Sequence, residues 1–148
     1  MAIYFVDSSA LLKRYRYEEG SERVSDLLDG ADRLLMSRLG QVEVSAAIIR
    51  RGRNTGRSEQ DLAAVLKRFD QETLNSFDVV ELDILVIEGA IAMARKHGLR
   101  AADAIQLASA LLARDVVSSR ELTLLASDQE LNAAASSEGL LILDPAKN

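Results

Sequence analysis

At 148 residues, 48% hydrophobic and 28% charged, the chain has the length for one domain with a proper core, and its composition excludes a disordered tail or a membrane protein. It contains no cysteine and a single histidine, His97, which rules out disulfides and thiolate chemistry and removes the usual ligands of structural zinc. A formal charge of −5 argues against nucleic acid as a partner of the surface as a whole.

In chain order, the apolar run Ala2–Val6 predicts a strand that ends on Asp7. It is too short for the apolar region of a signal peptide, and a cytoplasmic protein is expected. A helix follows from about Ser9 to Tyr17, and a second runs from Gly20 to near Gly30. Arg33–Met36 is a short strand. Leu39, Val42, Ala46 and Ile49 fall on one helical stripe within 39–51, Gly52 and Gly56 mark a joint, and Ser58 with Asp61 resembles a capping box opening a helix to about Leu74. Val79–Leu82 reads as a strand, Asp83 as a cap, 84–97 as a helix and Gly98 as its stop. A helix over 101–115, a strand over 122–126, a helix over 128–137 and a strand over 140–143 complete the chain. Short apolar runs alternating with helices predict an α/β fold with a central parallel sheet flanked by helices, in one domain spanning 1–148.

In such sheets ligands bind beyond the carboxyl ends of the strands, where this chain delivers acids. Asp7 closes the first strand, Glu43 follows the second through Ser37, Asp103 opens the Ala/Leu-rich helix, and Asp128 follows Ser127 after the strand at 122–126. Each has an ordinary structural use. Asp7 and Asp128 are good helix caps, Glu43 sits at the border of an apolar stripe where an ion pair with Arg50 would suit it, and Asp103 is a first-turn acid favoured by the helix dipole. That dipole does not explain why Asp103 shares a face with Leu107 and Ala110. Carboxylates about 4 Å apart repel by roughly 4 kcal/mol per pair at an effective dielectric near 20, so four gathered at one place call for a cation. Hard oxygen ligands select Mg²⁺ or Mn²⁺. No Walker A or G-x-G-x-x-G loop is present, Asp7-Ser8-Ser9 lacks the second aspartate of a haloacid-dehalogenase-type phosphatase, and no serine has a histidine partner beyond His97, which reads as a helix-end residue.

Four segments carry a family resemblance: Val6-Asp7-Ser8-Ser9-Ala10-Leu11, Glu43 in its helix, Leu99-Arg100-Ala101-Ala102-Asp103-Ala104-Ile105-Gln106-Leu107-Ala108, and Ala126-Ser127-Asp128-Gln129-Glu130-Leu131. In these the chain resembles the PIN-domain ribonucleases, and among them the VapC-type toxins of bacterial and archaeal toxin–antitoxin pairs, over essentially its whole length. Ser127 stands where threonine is frequent. The resemblance implies a Mg²⁺- or Mn²⁺-dependent endoribonuclease leaving 5′ phosphate and 3′ hydroxyl ends, a homodimer, and inhibition by a cognate VapB-type antitoxin. It implies Asp7, Glu43, Asp103 and Asp128 as catalytic metal ligands. Ser8 and Ser127 are expected to orient those carboxylates. Basic residues beside the acids, Lys13, Arg14, Arg50 and Arg51, are the expected RNA phosphate contacts. The apolar helix bearing Leu11, Leu12, Tyr15 and Tyr17 either packs into the core or borders the antitoxin groove. The alternatives are a non-catalytic PIN-fold interaction module, a PIN nuclease of RNA maturation, a DNA nuclease and a small phosphatase.

Overall fold

Side chains alternate across a strand, and in the first strand, β1 (Ile3–Val6), both directions are apolar. Ile3 and Phe5 join one hydrophobic cluster, while Val6 joins another on the opposite face. A strand apolar on both sides must be covered on both sides, which is the condition for a parallel sheet sandwiched by helices. The computed structural model, which describes residues 1–147, has that architecture. Strands β1, β2 (Arg33–Ser37), β3 (Phe77–Val80), β4 (Thr123–Leu125) and β5 (Leu141–Leu143) form one five-stranded sheet in the order β3-β2-β1-β4-β5, every neighbouring pair parallel.

Helices α1 (Ser8–Leu11), α2 (Ser21–Asp29), α3 (Arg38–Asn54) and α4 (Glu59–Ser76) link β1 to β2 to β3 and cover one face. Their core joins Leu11, Val24, Val44, Ile48, Leu62 and Phe69 to Leu34, Met36 and Leu125 of the strands. Helices α5 (Ile84–His97), α6 (Ala101–Val117) and α7 (Gln129–Ser137) cover the other, with Val86, Ala90, Leu107, Ala110 and Leu131 against Phe5, Leu35 and Leu124. The chain changes face between β3 and β4. That places the topological switch point between β1 and β4, the position where open α/β sheets form their crevice.

Several helix ends follow their local chemistry. The hydroxyls of Ser37 and Ser58 cap α3 and α4, the carboxylate of Asp83 caps α5, and Gly98 ends α5 in the left-handed region at φ 68°. His97 does not cap its helix; its Nε2 lies 2.8 Å from Glu138 Oε2, and Lys96 Nζ lies 2.7 Å from the same oxygen, tying α5 to the turn after α7.

The expected first helix over 9–17 is shorter. α1 gives way to a 3₁₀ turn, Leu12–Arg14, because the chain doubles back around the buried Lys13, whose Nζ donates to Glu18 Oε1 at 2.9 Å and to the Glu19 carbonyl at 2.9 Å. Leu11, Leu12 and Tyr15 are core, Tyr15 meeting Phe69 edge-on at 5.1 Å, while Tyr17 is exposed. β3 starts two residues earlier than the expected 79–82 because Phe77 and Asp78 extend the ladder with β2 opposite Leu34 and Leu35.

The joint at Gly52 is a packing requirement between α3 and α4. A Cβ there would stand 2.1 Å from Leu62 Cδ2, and Leu62 is 1% exposed. Gly52→Val overfills this contact, and a loss of about 1–3 kcal/mol is expected. At roughly 2–4 °C per kcal/mol for a chain of this size, thermal unfolding of the variant should fall by about 2–12 °C, and an unchanged midpoint would show that Leu62 has room to move.

Candidate active site

β1 and β4 end side by side, and the Asp7 N–H donates to the Leu125 carbonyl at 3.0 Å, fastening the two exits together. Asp7 follows β1 and caps α1; Asp128 follows β4 and caps α7, its Oδ1 accepting from the Leu131 N–H at 2.9 Å. The two acids therefore flank the switch point. Glu43 is brought in by the second turn of α3 and Asp103 by the first turn of α6.

Asp7 is 4% exposed. Its Oδ2 accepts from the Ser9 N–H at 3.1 Å and the Ser9 hydroxyl at 2.5 Å, and its Oδ1 accepts from Gln106 Nε2 at 2.8 Å. Burial drives its pKa above the usual carboxylate value, the bonds from Ser9 and Gln106 oppose that rise, and the charge of Asp128 adds to it. Glu43 is raised by burial and then by Asp7 and Asp103, against the Ser8 hydroxyl, which donates to Glu43 Oε1 at 3.2 Å. Asp103 rises to about 6 through burial, then Asp128, Asp7 and Glu130, with Arg100 opposing. All four acids thus share one electrostatic basin, and none forms an ion pair with Lys, Arg or His among the described residues.

That donor set fits a hard divalent cation. It is built of carboxylate oxygens alone, no Lys, Arg or His among the described residues ion-pairs with it, and neither Asp103 nor Asp128 Oδ2 is engaged in a hydrogen bond among the described residues. Still, no three His, Asp or Glu side chains among those residues stand close enough together to enclose an ion. The acids are gathered, and a coordination shell is not formed.

Of the residues expected to orient the acids, Ser8 meets Glu43. Ser127 offers only its backbone N–H, to Ser9 Oγ at 3.0 Å, and its own buried hydroxyl has no partner. The carboxylate of Asp7 is instead held by Ser9 and Gln106, which the sequence reading did not assign. A fully buried glutamine on the face that carries Asp103 was the signal available for Gln106.

The basic residues divide. Lys13 is turned inward to Glu18, and Arg14 bonds Glu72 Oε2 at 2.7 Å and Asp29 Oδ1 at 3.0 Å, so both charges are committed inside the fold and unsuited to phosphate. Arg51 reaches Glu18 at 3.5 Å while remaining exposed. Arg50 is exposed and makes no ion pair with Glu43, contrary to the pairing considered for it; with Arg51 and Asn54 it lines an open depression reaching Glu43.

Comparison with known proteins agrees with this architecture. Ribonuclease VapC45 and ribonuclease VapC49 of Mycobacterium tuberculosis are each 40% identical to this chain over 115 residues, 78% of this chain and 79% of theirs. A toxin–antitoxin complex from Klebsiella pneumoniae contains a chain of the same fold, with a TM-score of 0.65 at 16% identity over 96% of this chain and 97% of that one. The PIN domain family profile matches residues 4–136, nearly the whole of the sheet and its helices, and the chain belongs to the PIN-domain family.

Proposed function

We propose that the chain is a divalent-metal-dependent endoribonuclease, the toxin of a VapC-type toxin–antitoxin pair, with residues 1–148 as one catalytic domain acting in the cytoplasm as a homodimer. The observation that carries this reading is the set of four acids gathered at the switch point, none of them in an ion pair among the described residues. The 40% identity to two ribonucleases supports RNA as substrate, and the toxin–antitoxin complex with the same fold agrees with a toxin's role. Leu82, Ile84 and Leu85, exposed at the start of α5, offer an apolar face of the kind a dimer needs.

In this mechanism Asp7, Glu43, Asp103 and Asp128 hold Mg²⁺ or Mn²⁺. When bound, the cation supplies Lewis-acid chemistry, acidifying water and offsetting charge on the scissile phosphate. The protein's own task is to present ionised oxygens. Ser9 and Gln106 hold the Asp7 carboxylate with three donors, Ser8 holds Glu43, and the Leu131 N–H leaves one oxygen of Asp128 for the cluster. Arg50 and Arg51 hold RNA phosphates beside Glu43, a role the committed Lys13 and Arg14 do not share. The groove between the 3₁₀ turn and α3, lined by Leu12, Tyr15, Ile48, Arg16 and Arg57 among others, is the proposed antitoxin site, its apolar floor and basic rim suited to an amphipathic helix with acidic flanks.

Cleavage mapping on total cellular RNA is the direct test: cutting with Mg²⁺ or Mn²⁺ and none with chelator is expected, and activity confined to DNA or phosphate monoesters would overturn the reading. Asp103→Asn should abolish cleavage. Because the folded-state pKa of Asp103 lies near 6, above the 3.8 of an unperturbed aspartate, its ionisation costs stability at pH above both values, and that cost fades as pH falls through the interval between them. Allowing for solvent screening, the variant without metal should gain about 1 kcal/mol at pH 7.5, roughly 2–4 °C in thermal midpoint, and nothing at pH 3.5. A gain independent of pH would dissociate it from the cluster.

RNA affinity of the Asp103→Asn protein should fall steeply with salt, and adding Arg50→Ala should flatten the slope of log K against log salt by about 0.7, the increment of one single-strand phosphate contact. An unchanged slope returns Arg50 to the solvated surface. Arg16→Glu with Arg57→Glu should weaken binding of the cognate VapB-type antitoxin by at least about tenfold, the scale of a lost interfacial charge pair. Unaltered affinity in a pull-down titration would remove the groove from the antitoxin interface.

A further inference from the structure

Gln106 is 1% exposed, on the face of α6 that meets the ends of β1 and β2. A buried amide must spend both ends on partners, and this one does. Its Nε2 donates to Asp7 Oδ1 at 2.8 Å, and its Oε1 accepts from the hydroxyl of Ser37, itself 1% exposed. Ser37 Oγ in turn accepts from the Gly40 N–H at 2.8 Å as the cap of α3. The direction of this chain is set from one end. An ionised carboxylate can only accept, so Asp7 Oδ1 takes the amide Nε2–H, which leaves Gln106 Oε1 to accept from the Ser37 hydroxyl while the Ser37 oxygen accepts from the Gly40 N–H. Gly40 keeps the junction open: a Cβ there would stand 3.3 Å from both Gln106 Nε2 and Ser37 Oγ.

We infer that Gln106 is a positioning residue for the metal-binding carboxylate Asp7, its amide locked by Ser37 so that Asp7 always meets a neutral donor on Oδ1 while Ser9 holds Oδ2. The inference rests on the nuclease reading above and adds to it a cross-link from α3, through α6, to the end of β1. It explains a polar side chain in the midst of Ala104, Leu107 and Ala110, where an apolar residue would pack without needing partners. Partners that orient metal ligands typically contribute 10- to 100-fold to metal affinity or activity.

The test is Mn²⁺ affinity of the purified protein, by calorimetry or by electron paramagnetic resonance of the free ion, alongside RNA cleavage at saturating Mn²⁺. Gln106→Met keeps the length of the side chain without its donor, and a 10- to 100-fold weaker Mn²⁺ affinity with a lowered cleavage rate is expected. Ser37→Ala also removes the α3 cap, so on its own it mixes two effects. The double variant separates them: with Gln106 already lost, Ser37→Ala should weaken Mn²⁺ binding much less than it does in the parent, whereas independent structural damage would multiply. Should Gln106→Met not fold, the conservative Ser37→Thr carries the question, because it keeps the hydroxyl and should restore the Mn²⁺ affinity that Ser37→Ala loses. Parent-like Mn²⁺ affinity in Gln106→Met, multiplicative losses in the double variant, or no restoration by threonine would overturn the inference and leave the nuclease standing. A parent protein that binds no Mn²⁺ and cuts no RNA would overturn the nuclease reading, and the inference with it.

Discussion

The constraint on which the rest depends is the burial of Asp7 as an acid among acids. A carboxylate at the end of a fully buried parallel strand has lost its water, and Asp128, Glu43 and Asp103 all contribute repulsion to the same basin. Isolated ions in such surroundings neutralise themselves by taking up protons. This site opposes that outcome with donors: Ser9 through its backbone and hydroxyl, and Gln106 through its amide. The fold is arranged so that these donors arrive from different elements, Ser9 from the turn after β1 and Gln106 from α6 on the far side of the chain's change of face.

Parity places the acid. Ile3 and Phe5 point to the α5–α6–α7 face, and Asp7, two residues further, continues that direction toward α6 and meets Gln106. A shift of one residue in β1 would send Asp7 toward the opposite apolar cluster of Leu11, Val44 and Phe69 and away from Gln106. The register with β4, in which Val6 stands opposite Leu125, also sets where the chain leaves β4 for Ser127 and Asp128. Hydrophobic pattern and the placement of the acids are therefore one specification.

What the sequence disclosed follows the same logic. Strands and helices with strong periodicity, such as α3, α4, α5 and α6, and the caps Ser58, Asp83 and Gly98, are local properties and were legible. So was the gathering of the four acids, because a parallel sheet collects its strand ends on one side. The fate of Lys13 and Arg14 was not. Their inward pairing with Glu18, Glu72 and Asp29 goes with a 3₁₀ turn that ends the first helix early, where the chain doubles back around Lys13 while Leu12 and Tyr15 join the core. The choice of Ser9 over Ser8 as the Asp7 partner was equally hidden, since both hydroxyls follow the acid within two residues and only the packing of the turn after β1 sends Ser8 to Glu43 and Ser9 to Asp7. Tertiary contact, and not local propensity, settles such side chains.

Net charge is a poor guide to a protein built in this way. Away from the site a number of acids are paired: Glu72 and Asp29 with Arg14, Asp78 with Arg33, Glu81 with Arg38, Glu59 with Arg53, Glu138 with Lys96. The excess that makes the chain acidic includes the carboxylates that no basic side chain offsets, at the switch point. Exposed pairs of this kind contribute little to stability, yet they remove their acids from the long-range field that an approaching polyanion meets. The four acids at the switch point add negative field where a divalent cation would cancel it, and the exposed Arg50 and Arg51 stand beside Glu43. Under the proposed function, an RNA strand would meet a surface whose repulsion is conditional on the metal, and ion occupancy would then bear on substrate approach as well as chemistry.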